Sequence, residues 1–140
     1  GSAADAQHIA AELAGRLTME RSGLPAVALT VNPSVITAVS NDYGYEMVFA
    51  RQVEALGAEG DVLVGISTSG RSSNVIRAFQ TAREMRITTL GLMGDDGEEM
   101  AALCDHVVRV PSSETQRIQE LHIAVGHAIC EIAEKELFGA

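Results

Sequence analysis

Gly65-Ile66-Ser67-Thr68-Ser69-Gly70-Arg71-Ser72-Ser73-Asn74 decides how the rest of the chain is read. An apolar run, Asp61–Gly65, leads into it, and the helical pattern Val75–Met85 leads out. The order is strand, then a loop of hydroxyls and one glycine, then helix. The first N–H groups of a helix lack partners within it and lie at the positive end of its dipole. An anion, above all a phosphate, is stabilised there. Ser67, Thr68, Ser69, Ser72 and Ser73 add hydroxyl donors. The loop contains no lysine, so it is not a nucleotide P-loop, and no nucleotide cofactor is expected.

Outward from this loop, helices and apolar strands alternate. Upstream, Ala3–Leu17 reads as a helix, and Ser2 with Asp5 three residues later resembles a capping box at its start. Pro25–Thr30 (PAVALT) reads as a short buried strand and Ser34–Ser40 as a short helix or turn. Asn41-Asp42-Tyr43-Gly44 reads as a loop, and Tyr45–Leu56 as a helix with Phe49, Val53 and Leu56 on one side. Asp61–Ile66 is the strand before the hydroxyl loop and Asn74–Arg86 the helix after it. Downstream come a strand at Thr88–Leu92, a turn at Gly94-Asp95-Asp96-Gly97 and a short helix at Glu98–Leu103. A strand at His106–Val110 stops at Pro111, and a long helix fills Glu114–Leu137.

Strands that are apolar throughout, rather than alternating, are covered on both faces. The expected class is therefore α/β: a doubly wound, mainly parallel sheet flanked by helices, in one domain over residues 1–140. Ligands of such sheets bind beyond the carboxyl ends of the strands, where Ser67–Ser72 and Asn41-Asp42 both fall.

Composition narrows the partners. A hydrophobic content of 46% in 140 residues is enough for one core. The formal charge of -9 is spread along the chain, and the ten positive charges form no basic stripe, so nucleic acid is not an expected partner. No apolar run approaches the ~20 residues that span a bilayer. Cys104 and Cys130 lack CxxC or finger spacing and read as buried thiols of a reducing compartment. The five methionines, at 19, 47, 85, 93 and 100, have no metal-binding spacing and read as core filler. A cytoplasmic protein is the expectation.

A second constellation lies on the two terminal helices. His8 and Glu12 are spaced i, i+4 and share a helix face. Gln119, Ile123 and His127 form an i, i+4, i+8 stripe on the last helix, from which His122 points about 140° away. If the helices pack side by side, His8, Glu12 and His127 converge. Two imidazoles and a carboxylate are a recurring catalytic zinc set with an open position, and Gln119 would be an unusual fourth ligand. Each pattern alone has a plainer reading. A Ser-rich loop can be only a helix cap, His8 and Glu12 only a solvated pair, and His127 only a core histidine. Asn41-Asp42 is an ordinary turn pair, His106 reads as a surface residue, and Arg16 and Arg117 balance nearby acids.

The combination is more specific than its parts. GSAADAQHIAAEL at 1–13, SNDYGYE at 40–46, EGDVLVGISTSGRSSNV at 59–75 and RIQELHIAVGH at 117–127 follow in order over nearly the whole chain. Together they resemble the sugar isomerase (SIS) domain and, within it, the bacterial phosphoheptose isomerases, also called sedoheptulose 7-phosphate isomerases. The resemblance implies a flavodoxin-like three-layer sandwich with a phosphate loop at Ser67, Thr68, Ser69 and Ser72. It implies sugar contacts at Ser2, Glu12, Asn41, Asp42 and Gln119. It implies one Zn²⁺ per subunit on His8, Glu12, Gln119 and His127, with Glu12 and His127 as the acid–base pair. It also implies a homotetramer that makes heptose precursors of lipopolysaccharide or other surface glycans. The family's Gly-Asn-Gly-Gly-Ser loop is represented here by its last two letters, Gly1-Ser2, so a first strand and an N-terminal helical segment are expected before it. The family loop commonly has Asn where this chain has Arg71, which puts a cation beside the phosphate loop.

Ketose–aldose isomerisation moves a proton between adjacent carbons through an enediol(ate). It needs a base over the C–H and an acid or metal at the oxygens. Glu12 suits the first role and His127 the second, since histidine titrates near neutral pH. A glutamate that ligates zinc is a poorer base, so Glu12 stands between two duties. The alternative is a non-catalytic SIS-domain protein, a phosphosugar sensor or a partner of replication-initiation proteins. Such relatives keep the fold but lose the acid–base residues, whereas this chain has both.

Overall fold

Val62–Ser67 (β1), Thr88–Met93 (β2) and His106–Arg109 (β3) form one parallel sheet in the order β1-β2-β3. The computed structural model describes residues 1–139. β1 and β2 end together, with Ser67 paired to Met93, and the Gly94 N–H donates to the Thr68 carbonyl at 3.0 Å just beyond. The hydroxyl loop and the turn after β2 therefore leave the same edge of the sheet.

Helices cover both faces. The helices Val48–Leu56 (α3) and Ser73–Glu84 (α4) pack together, and Glu98–Ala101 (α5) adjoins α4. Two apolar clusters fill this layer. Val53, Ala78, Ala82 and Ile87 form one, and Ile76, Phe79, Met93 and Met100 the other. On the opposite face Ser2–Ala14 (α1) packs along Thr115–Phe138 (α6), with α1 against β1 and α6 against β2. The expected three-layer α/β architecture is what forms.

Several local expectations are corrected. Pro25–Thr30 is extended but joins no ladder among the described residues. The Leu29 carbonyl instead accepts from Gln52 Nε2 at 2.9 Å, and Val27 is 62% exposed. A β-rich composition does not make a strand without a neighbour to pair with. Asn41-Asp42-Tyr43 is the last turn of Pro33–Tyr43 (α2), not a loop. Asn32 caps this helix from its side chain, and its end is set by Gly44 at φ 91°. The Ser2–Asp5 capping box does not form. Gly1 is the N-cap, Ser2 is already helical, and the Asp5 N–H donates to the Gly1 carbonyl at 2.9 Å. Leu56 ends α3 at 61% exposure instead of joining Val53 in the core.

Candidate active site

The site grows from the crossing of α1 and α6. Gly126 makes the crossing close, because a Cβ there would lie 2.7 Å from Ile9 Cδ1. With no side chain in the way, the next residue, His127, reaches α1. His8 Nε2 stands 3.0 Å from Glu12 Oε1 and 3.3 Å from His127 Nε2, with the two rings edge to face at 4.9 Å between centroids. One ligand atom from each of His8, Glu12 and His127 falls within 4.8 Å of the other two, a group able to hold a metal ion. The face shared by His8 and Glu12 and the stripe ending in His127 therefore do converge.

The donor chemistry fits a divalent cation. One proton on His8 Nε2 cannot make straight hydrogen bonds to both neighbours, whereas two imidazole nitrogens and a carboxylate oxygen this close together suit a cation. Ligands of a tetrahedral zinc at its usual bond lengths stand about 3.3 Å apart. The 3.0 and 3.3 Å separations match that spacing. Gln119, about 12 Å along the helix from His127, lies against Gly1 at the start of α1.

The hydroxyl loop has the form an anion needs. Gly70 takes φ 61°, and a Cβ there would meet Gly97 Cα at 2.3 Å, so only glycine fits the turn. The Ser67 and Ser72 hydroxyls bond each other at 2.8 Å, and Ser69 Oγ accepts from the Arg71 N–H at 3.2 Å. Ser72 is the N-cap of α4 but its side chain makes no cap bond; the Val75 N–H donates to Asn74 Oδ1 at 2.9 Å, which leaves the Ser73 and Asn74 N–H groups to face a ligand. Beside the loop is a cavity of about 180 Å³ bordered by Thr68, Ser69, Arg71, Asp95 and Ile118. Ile118 precedes Gln119, so α6 joins the loop end of the site to the histidine end. A larger depression of about 410 Å³ opens at the other edge of the sheet, beside Arg83, Arg86 and His106, and shares no residue with either.

Asn41 and Asp42 are exposed at the end of α2, and among the described residues no hydrogen bond ties them to the loop or the histidines. Ser2 sits in the first turn of α1, on the helix that carries His8 and Glu12. His122 points away from the Gln119–His127 stripe, as its angle implied, and into the core. It is fully buried, and both ring nitrogens lack partners, as does one carboxylate oxygen of Asp5. Burial pushes its pKa down, with the Met93 backbone and Asp5 pulling the other way. Cys130 is buried and Cys104 half-buried. Burial raises both thiols, Cys104 to about 11, so neither is a ready nucleophile.

Three features escaped the sequence reading. Gly126 was available only as a small residue next to a histidine. The burial of His122 and an Arg21–Glu134 pair beneath α1 depend on contacts between distant segments and have no local spacing signal.

The SIS domain family matches residues 1–94. The chain is 58% identical over 139 residues to the phosphoheptose isomerase of Clostridium acetobutylicum, covering 99% of this chain and 71% of that one. It is 58% identical over 135 residues to that of Nitratiruptor sp., covering 96% and 72%. Among solved structures it is similar to the phosphoheptose isomerase of Neisseria gonorrhoeae, with TM-score 0.87 and 50% identity over 96% of this chain and 71% of that one. The enzyme from Francisella tularensis gives TM-score 0.89 and 40% identity over 94% and 70%. With a SIS-domain match over most of its length, 58% identity to curated phosphoheptose isomerases and the same fold as two solved ones, this protein belongs to the phosphoheptose isomerase family of SIS-domain proteins.

Proposed function

We propose that this chain isomerises sedoheptulose 7-phosphate to D-glycero-D-manno-heptose 7-phosphate, with Glu12 and His127 as the acid–base pair. The observation that carries this reading is the meeting of Glu12 and His127 at His8, from opposite ends of the chain. A non-catalytic phosphosugar sensor has no need of that convergence.

Glu12 removes the proton from the carbon beside the carbonyl and returns it to the neighbouring carbon. His127 gives a proton to the carbonyl oxygen and accepts the one leaving the adjacent hydroxyl. No oxidant enters, because one carbon is reduced as its neighbour is oxidised. His8, in contact with both, orients the pair. A zinc ion held by His8, Glu12 and His127, with Gln119 as fourth ligand, would supply Lewis-acid polarisation of the carbonyl in place of the proton from His127. Ser67, Thr68, Ser69 and Ser72 anchor the phosphate at the far end, and Ser2, Asn41, Asp42 and Gln119 contact the sugar. The loop makes no bonds and converts binding energy into position.

The product class suits heptose precursors of surface glycans, made in the cytoplasm. No helix among the described residues is long and apolar enough to cross a membrane. Leu121, Ala124, Ala128 and Ile132 form one exposed apolar stripe on α6, which supports a homo-oligomer, read as a tetramer.

The test is turnover of sedoheptulose 7-phosphate by the full-length native chain in D₂O. Proton transfer through an enediol(ate) puts solvent deuterium on the product carbon that receives the proton, to the extent that the Glu12 carboxyl exchanges before it returns the proton. Absence of conversion contradicts the reading.

A further inference from the structure

Glu12 is the last residue but two of α1, where helix carbonyls run out of internal partners. One side chain meets them. Arg21 Nη2 donates to the Glu12 carbonyl at 2.8 Å, and Nη1 donates to the carbonyls of Leu13 at 2.7 Å and Gly15 at 2.9 Å. Its Nε donates to Glu134 Oε1 at 3.1 Å. The pair is sealed, with side-chain exposures of 1% for Arg21 and 0% for Glu134. Glu134 in turn accepts from the N–H groups of Leu17, Thr18 and Met19 at 2.7, 2.9 and 3.1 Å, and so fixes the segment that follows α1.

Glu134 stands seven residues, about two turns, beyond His127 on the same side of α6. The Arg21 guanidinium therefore links the backbone that carries Glu12 to the helix that carries His127. Buried ion pairs add little net stability, because desolvation offsets their attraction, and apolar pairs of like volume often replace them without loss. What this one supplies is geometry. A rigid planar fork holds consecutive carbonyls at fixed spacing, which a lysine point charge cannot. A cation at a helix C-terminus also favours that end of α1.

We infer that Arg21, held by Glu134, is a positioning residue that sets the register of Glu12 against His127. The inference rests on the proposed acid–base roles of those two residues. Small displacements of a reacting group lower the rate steeply, while the phosphate loop, on another element, keeps its hold on the substrate.

The experiment compares Arg21→Lys and the apolar double variant Arg21→Met/Glu134→Leu with the unmodified full-length chain. Circular dichroism reports fold, and steady-state kinetics with sedoheptulose 7-phosphate report kcat and KM separately. Expected is at least a tenfold fall in kcat in either folded variant, with KM within about twofold. A folded variant with kcat within about twofold of the parent overturns the inference. Failure of both variants to fold overturns it too, by making Arg21 a residue of folding alone. If Glu12→Gln keeps full turnover, the proposed acid–base roles fail, whatever the Arg21 variants do.

Discussion

His8 Nε2 and His127 Nε2 stand 3.3 Å apart although 119 residues separate them. The first and last helices thus supply the two halves of the proposed site, and on the proposed roles a change in their spacing changes the chemistry. Gly126, beside His127 and against Ile9, controls that spacing. Gly126→Leu is expected to destabilise the fold by about 1–3 kcal/mol through overpacking. It should also lower kcat by separating His8 from His127. Thermal unfolding with parallel kinetics checks both, and a stable, fully active variant contradicts the assignment.

The anchor end should behave differently. Gly70 has a left-handed backbone and touches Gly97. Gly70→Ala carries a backbone penalty of about 1–2 kcal/mol before the contact with Gly97 is counted. It should lower kcat/KM for the phosphorylated sugar at least tenfold while leaving zinc content unchanged. Steady-state kinetics and elemental analysis read the two effects apart.

Much of this arrangement is legible in residue order. The i, i+4 pair His8–Glu12 and the stripe ending in His127 named the cluster, because helical periodicity fixes which side chains share a face. The hydroxyl loop followed from its place between a strand and a helix. What stayed hidden depends on three-dimensional neighbours. PAVALT has strand composition but no ladder, and Asn41-Asp42 has turn composition but continues a helix capped by Asn32. Arg21 and Glu134 carry opposite charges 113 residues apart, and no local spacing signals a pair at that distance.

Acid should expose the Glu134 cradle. Donation from the Leu17 N–H, with Thr18 and Met19, holds this carboxyl at about 2, against 4.5 for the ordinary group. The folded pKa is depressed, so the unfolded chain takes up the proton first. This stabilisation is fully present above pH 4.5 and is lost as pH falls from there toward about 2. Urea unfolding across that window should show the loss in the parent. In Glu134→Gln this part of the pH dependence should vanish, and an unchanged profile would contradict the assignment.

Metal content is open to direct measurement. Protein purified with neither added zinc nor chelator should carry about one zinc per chain, consistent with the His–Glu–His donor set. His8→Ala should lower that occupancy. Metal-free protein whose activity is indifferent to chelator would reduce His8 to an orienting role.

Glu12→Gln in the full-length chain tests the central claim most directly, because it keeps the shape of the side chain and removes the base. Turnover of sedoheptulose 7-phosphate should fall at least a hundredfold, the usual scale of general base catalysis. The fold and the affinity for the phosphate end, read by competition with inorganic phosphate, should stay as in the parent. Near-parental turnover in this variant would contradict the account.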